Sequence, residues 1–281
     1  MLRKEIKVGI IGGTGKMGKF FRRFFETNGC KVLISSKKTK LKPIQCAKQC
    51  DVVLVSAPID LTINVVKEIA PHINKNSLLI DTTSIKKEPV TAMLKYAKCE
   101  VIGMHPMFGS NVSSIKKQKI ILCPARTKKW DKWLIHAFES NGAKIKITNP
   151  KKHDEMMSII QGLNHFSTLS AAYAMKDIGI SIKESLGYTS PIYKLRMVMI
   201  GRILNQDPNL YANIEILNPN NIKVLRAYLK SAKKLQKIIE TKNTKKFLKY
   251  FQECSKFFGV FKKEAEEISD YLIEQMVKMQ A

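Results

Sequence analysis

Three glycines and one histidine carry most of the chemistry that this sequence offers. The run Val8-Gly9-Ile10-Ile11-Gly12-Gly13-Thr14-Gly15-Lys16-Met17-Gly18 ends in a GxGxxG made by Gly13, Gly15 and Gly18, directly after a β-branched stretch and at the start of a helical one. A dinucleotide site needs this arrangement: Gly13 is expected to permit the tight turn, Gly15 to let backbone approach a pyrophosphate, and Gly18 to let helix pack on strand. The helix N-terminus adds amides and the positive end of a dipole. The cofactor residues are therefore Gly13, Thr14, Gly15, Lys16, Met17 and Gly18, joined by Ser56 at the end of the third strand and Pro58 just beyond it. The second strand ends Ile34-Ser35-Ser36-Lys37-Lys38, where an NAD site places an acidic residue on the ribose hydroxyls. A hydroxyl followed by two cations suits a 2′-phosphate better than a diol, so Ser36 and Lys37 lean towards NADP. In so lysine-rich a chain, the alternative is a solvated surface pair.

Two further segments follow later strands, at the carboxyl ends where an open α/β sheet binds its ligands. They are Asp81-Thr82-Thr83-Ser84-Ile85-Lys86 and Gly103-Met104-His105-Pro106-Met107-Phe108-Gly109. His105, at a strand end and held by the following proline, is a candidate general base, and Ser84 is placed to orient or hydrogen-bond it. Position alone leaves open the plainer pair of a surface histidine and a capping serine. No metal is expected: the nearest cysteines, Cys46 and Cys50, lack the other ligands of a zinc site. The six cysteines read as small apolar residues in a reducing compartment.

The elements that must position these groups follow from periodicity. Short β-branched runs at Lys7–Ile11, Lys31–Ser35, Val52–Ser56, Leu78–Asp81, Val101–Met104, Ile120–Cys123 and Lys144–Ile147 alternate with helical stretches, as a doubly wound, mostly parallel sheet requires. After Thr148-Asn149-Pro150 the strand signal ends, and from Ile222 the residues Leu225, Leu229, Ala232, Leu235 and Ile239 line one helical face. The expected organisation is a Rossmann-like α/β domain over residues 1–149 and an all-α domain over 150–281. Long amphipathic faces in the second make a homodimer through the helical domain the expectation.

The charge of +26 raises the question of a polyanion partner, but only seven of the 49 basic residues are Arg, and lysines are spread through every segment. Phe20, Phe21, Phe24 and Phe25 sit at helix-core spacing instead of forming a stacking platform, so a nucleic-acid-binding protein is the remote reading. No apolar run approaches membrane-spanning length and the N-terminus lacks a signal-peptide pattern, so a cytoplasmic location without membrane association is expected.

Several segments together resemble prephenate dehydrogenase, above all the dehydrogenase half of the bifunctional chorismate mutase/prephenate dehydrogenases. They are Ser84-Ile85-Lys86, His105-Pro106-Met107-Phe108-Gly109, His153-Asp154, Ile160-Gln161-Gly162-Leu163-Asn164-His165-Phe166, Ser190-Pro191-Ile192-Tyr193, Met199-Ile200-Gly201-Arg202, Gln206-Asp207-Pro208 and Leu210-Tyr211-Ala212. The likeness runs from about Val8 to beyond Phe258, and the absence of the mutase region implies a monofunctional enzyme. It implies oxidative decarboxylation of prephenate to 4-hydroxyphenylpyruvate, on the way to tyrosine, with NAD as the usual cofactor. By the same resemblance His105 takes the ring-hydroxyl proton, Ser84 supports that hydroxyl, Arg202 holds a substrate carboxylate, and Gln161 and His165 lie near the substrate. Met199 reads as core packing. The chain departs from the bifunctional pattern at Lys194, where an Arg is usual, and at Ser36, where an acidic residue is usual. Arogenate dehydrogenase and a non-catalytic NAD(P)-binding regulatory protein are the alternatives.

Overall fold

A computed structural model describes residues 5–279. Seven strands form one sheet: β1 (Lys7–Ile11), β2 (Lys31–Ser35), β3 (Val52–Val55), β4 (Leu78–Asp81), β5 (Glu100–Pro106), β6 (Lys119–Arg126) and β7 (Lys144–Ile147). Their spatial order is β2-β1-β3-β4-β5-β6-β7. All neighbours are parallel except β5 and β6, which run antiparallel and are joined without a crossover helix. Helices α1 (Lys16–Thr27), α2 (Pro43–Lys48), α3 (Ile59–Ile69), α4 (Lys87–Tyr96) and α5 (Trp130–Glu139) supply the crossovers.

Helices on both faces explain why the central strands read as unbroken apolar runs. Every residue of β3, β4 and β5 is buried. Alternate residues go to opposite faces: Val52 and Leu54 pack with Phe21 and Phe25 of α1 and Phe138 of α5, while Val53 and Val55 pack with Val66 and Ile69 of α3 and Met93 of α4. The four phenylalanines of α1 are all buried, as their spacing predicts. Cys46, Cys50, Cys99 and Cys123 are buried, whereas Cys254 is exposed.

From Pro150 the chain is helical: α6 (Pro150–Met157), a single π-helical stretch at Ser158–Leu163, α7 (Asn164–Ile178), α8 (Ile182–Gly187), α9 (Pro191–Leu204), α10 (Pro208–Leu217), α11 (Asn221–Glu240), α12 (Thr244–Phe258) and α13 (Phe261–Lys278). The chain forms two compact units. The first runs to Ser158 and includes Ala212–Asn218; the second comprises Ile159–Tyr211 and the residues from Pro219. The expected helix after Ile222 is α11, but its apolar stripe is largely uncovered, with Leu229 and Ile239 exposed. Met199 is likewise exposed, which corrects its reading as core packing. No helix among the described residues is long and apolar enough to cross a membrane.

Candidate active site

The glycine turn lies where β1 meets α1. Connections leave β1 and β3, which are adjacent, towards opposite ends of the sheet, so a crevice opens at their carboxyl ends. The residue that makes the turn is Gly12, with φ +85°, and a Cβ on it would fall 2.2 Å from the Ser56 carbonyl oxygen. This corrects the assignment of that role to Gly13, which is needed for space: its Cβ would lie 2.7 Å from Ile34 of β2. Gly18 abuts the Gly12 carbonyl, as close helix–strand packing requires. The amides of Gly12 and Gly13 both donate to the Ser35 carbonyl, at 2.7 and 3.3 Å.

Gly15 is the N-cap of α1; no side chain caps this end and its first turn carries no acidic residue. Thr14, Gly15 and Lys16 are exposed and Met17 is half-buried. The first-turn amides, lacking intrahelical acceptors, are therefore available to an anion beside a wall of bare backbone, and these residues fit a dinucleotide pyrophosphate. Ser56 donates its amide to the Ile11 carbonyl at 2.7 Å, and Pro58 caps α3. Past β2, Ser36 closes a tight turn, its hydroxyl accepting from the Lys38 amide at 3.1 Å while its own amide donates to Thr39 Oγ1 at 2.8 Å. Lys37 and Lys38 are exposed on that turn.

The histidine site is built on β4, β5 and α6. Strand β5 extends two residues beyond the expected Met104, so His105 lies within it and is 4% exposed. Its Nδ1 lies 2.9 Å from Nε2 of His153, and Nδ1 of His153 lies 2.7 Å from Oδ1 of Asp154. Asp154 also accepts the amides of Lys86 and Lys87, at 2.7 and 2.9 Å. Asn149 caps α6 through the Lys152 amide at 2.8 Å, and Asn218 donates to the Asp154 carbonyl at 2.8 Å. The relay is thus held at both its side-chain and main-chain ends.

Beneath it lies a buried ion pair. Lys86 is completely enclosed, and its ammonium donates to Oδ2 of Asp81 and, at 2.9 Å, to the Met104 carbonyl immediately before His105. Gly103 makes room for the lysine stem: a Cβ there would meet Val90 at 2.6 Å and the stem itself at 3.0 Å. Burial, then the neighbouring His153 and Lys86, push the His105 pKa well below the ordinary imidazole range. Burial also lowers His153, against the opposing pull of Asp154. The site therefore presents an enclosed imidazole that is unprotonated at neutral pH, the form a general base requires.

Ser84 is half-buried in the β4–α4 loop and makes no hydrogen bond among the described residues, so the bond to His105 expected of it is absent. His153, Asp154, Asp81 and Lys86 take the structural place around His105. The sequence shows the first two as an adjacent pair, but nothing in their spacing ties them to a strand 48 residues earlier.

In the second unit the ring of His165 packs edge-on against Tyr211, with centroids 4.7 Å apart. Burial raises the Tyr211 pKa, and the nearby charge of Arg202 opposes that shift. Arg202, on α9, is exposed. Gln161 sits in the π-helical stretch, with its buried Oε1 lacking a hydrogen-bond partner among the described residues.

Two family domains match successive parts of the chain. The nucleotide-binding domain of prephenate dehydrogenase matches residues 28–147, and the prephenate dehydrogenase dimerization domain matches residues 149–253. A probable arogenate/prephenate dehydrogenase of Methanocaldococcus jannaschii is 35% identical over 96% of this chain, which spans 65% of that protein's length. The T-protein of Haemophilus influenzae is 33% identical over 96% of this chain and 71% of its own length. Among solved structures, prephenate dehydrogenase from A. aeolicus, in complex with hydroxyphenyl propionate and NAD+, shares the fold with a TM-score of 0.75. It is 19% identical, and the match covers 95% of this chain and all of the other. Two successive domain matches and a relative one-third identical along nearly the whole chain establish that this protein belongs to the prephenate dehydrogenase family.

Proposed function

We propose that this chain is a cytoplasmic, homodimeric prephenate dehydrogenase that converts prephenate to 4-hydroxyphenylpyruvate and CO2 in tyrosine biosynthesis. The observation that carries the reading is the enclosed, neutral His105 at the carboxyl end of the sheet, in the same unit as the glycine turn. The Gly12–Gly18 backbone with Ser36, Lys37, Ser56 and Pro58 would hold NAD(P)+, which when bound would supply the hydride acceptor. His105 accepts the proton of the ring hydroxyl as the C4–H bond breaks, and gives it back to the phenolate oxygen once CO2 has left. No proton is gained or lost overall, and the aromatic ring formed makes the reaction strongly downhill. Ser84 supports the same hydroxyl, Arg202 pairs with a substrate carboxylate, and Gln161 and His165 contact substrate. Ile192, Val198 and Leu229, all exposed, are apolar surface of the kind that pairing of two copies covers.

The name borne by the M. jannaschii relative favours a second reading, arogenate as substrate, which differs only in the side chain. Following NAD(P)H absorbance with each compound decides: turnover of prephenate at least tenfold faster than arogenate supports the proposal, the reverse ratio transfers it to arogenate, and no turnover of either removes it.

Arg202 provides a sharper check. A guanidinium grips a carboxylate through two parallel bonds that an ammonium cannot reproduce. Arg202→Lys and then Arg202→Gln should lower kcat/KM for prephenate progressively, by about ten- to hundredfold, with cofactor affinity unchanged. An unaltered prephenate KM would make Arg202 a surface residue.

Cofactor choice rests on the Ser36 turn. With a hydroxyl and two cations there, NADP is the proposed preference, and Ser36→Asp should swing the ratio of kcat/KM towards NAD by about tenfold, through repulsion of the 2′-phosphate. If the unmodified protein already prefers NAD tenfold, the two lysines are solvated surface.

A further inference from the structure

Resting on the reading of His105 as the base, a further role emerges from the hydrogen-bond chain behind it. An ionised carboxylate has only lone pairs to offer. Asp154 spends them on the amides of Lys86 and Lys87 and on Nδ1 of His153, so Nδ1 of His153 carries a hydrogen. A neutral imidazole with its hydrogen on Nδ1 has a bare Nε2, and that atom is the one 2.9 Å from Nδ1 of His105. For these two nitrogens to bond, Nδ1 of His105 must be the donor. The remaining nitrogen of His105, Nε2, is then left unprotonated.

We propose that His153 is the positioning residue of this site: anchored by Asp154, it fixes the tautomer of His105 so that Nε2 is the proton acceptor. Without His153, the His105 ring could place its hydrogen on either nitrogen and turn about its χ2 axis, and the tautomer bearing Nε2–H cannot accept a proton there. The charged and titratable groups around the pair are Lys86, Asp81 and Asp154; these three also act on the buried Cys123 thiol, itself pushed up to about 12 by burial. Lys86 opposes a positive charge on either ring, while Asp154 favours one on His153. When His105 becomes an imidazolium during turnover, its Nδ1–H keeps the same acceptor, so proton uptake at Nε2 requires no rearrangement behind it.

The chain has five histidines, which makes the direct measurement tractable. Nitrogen-15 spectra of the full-length protein at neutral pH should show His105 as the Nδ1–H tautomer, and assignment by His105→Asn identifies the signal. Finding Nε2–H at His105 would overturn the proposal whatever the enzyme's substrate. In His153→Leu the tautomer should become mixed, and kcat should fall about ten- to hundredfold while KM for prephenate and for the cofactor stays within about threefold. His153→Gln retains an acceptor oxygen near the Nε2 position and should restore kcat to within about threefold of the unmodified protein. Unchanged turnover in His153→Leu, or equal loss in the Leu and Gln variants, would reduce His153 to packing. A chain with the expected tautomer but no activity on prephenate or arogenate would sink the functional reading and leave the hydrogen-bond assignment standing.

Discussion

Replacing Lys86 with Met should destabilise the nucleotide-binding unit by about 3–5 kcal/mol. The two side chains are close in length, so the change opens little space, and the loss comes from electrostatics. Asp81 and Lys86 are both fully buried, and among the described residues no other Lys or Arg forms an ion pair with Asp81. Its Oδ2 would keep only the amide of Thr83, at 3.0 Å, and the Thr83 hydroxyl. A buried carboxylate left in that state bears most of its desolvation cost uncompensated. Adding Asp81→Asn should recover most of the loss, because a neutral pair carries no such cost. The chain's two tryptophans, Trp130 and Trp133, both lie on α5, so fluorescence-monitored urea unfolding reports this unit specifically. An unchanged midpoint for Lys86→Met would show that the ion pair contributes nothing; failure of the double variant to recover would assign the loss to packing.

Lys86 also marks a boundary of what sequence can show. Among 49 basic residues in the chain, nothing in composition distinguishes Lys86, which is enclosed, from the many described ones that are solvated. It is enclosed because Gly103 on the neighbouring strand leaves space for its stem and Asp81 ends the strand before it. The strands themselves were legible because helices cover both faces of the sheet, so that burial writes itself as continuous β-branched runs. The apolar pattern of strand β5 stops short of its end, since His105 and Pro106 interrupt it although both are buried. The glycine motif located the turn, but motif spacing does not decide which glycine takes the positive φ; the approach of Ser56 gives that role to Gly12. His105 stood out by its place after a strand, whereas its partnership with His153 and Asp154 exists only once α6 is folded against the sheet. In the helical unit, periodicity gave α11 correctly but not which side is covered, because the stripe at Leu225, Leu229 and Ile239 finds little cover within the single chain.

The largest effect on turnover is expected from His105→Asn. Asparagine keeps a donor for His153 near the position of Nδ1 and is smaller than imidazole, so the enclosed site should fold around it with cofactor affinity unchanged to within about twofold. What it lacks is a nitrogen that can hold a proton. Losing a general base costs about 10² to 10⁴ in kcat. The pH profile provides an independent sign. Turnover needs the unprotonated ring, and His105 is held well below the ordinary imidazole value of 6.5, so kcat/KM should stay level as the pH falls through 6.5 and decline only below it. In His105→Asn that acid limb should vanish along with most of the rate. Stability carries the same direction: below 6.5 the unfolded chain takes up protons that the buried His105 and His153 refuse, so the fold loses stability as the pH drops, and the variant should lose less. Near-native kcat in His105→Asn, or an acid limb that survives the substitution unchanged, would mean that the proton goes elsewhere and that the enclosed imidazole is only part of the core.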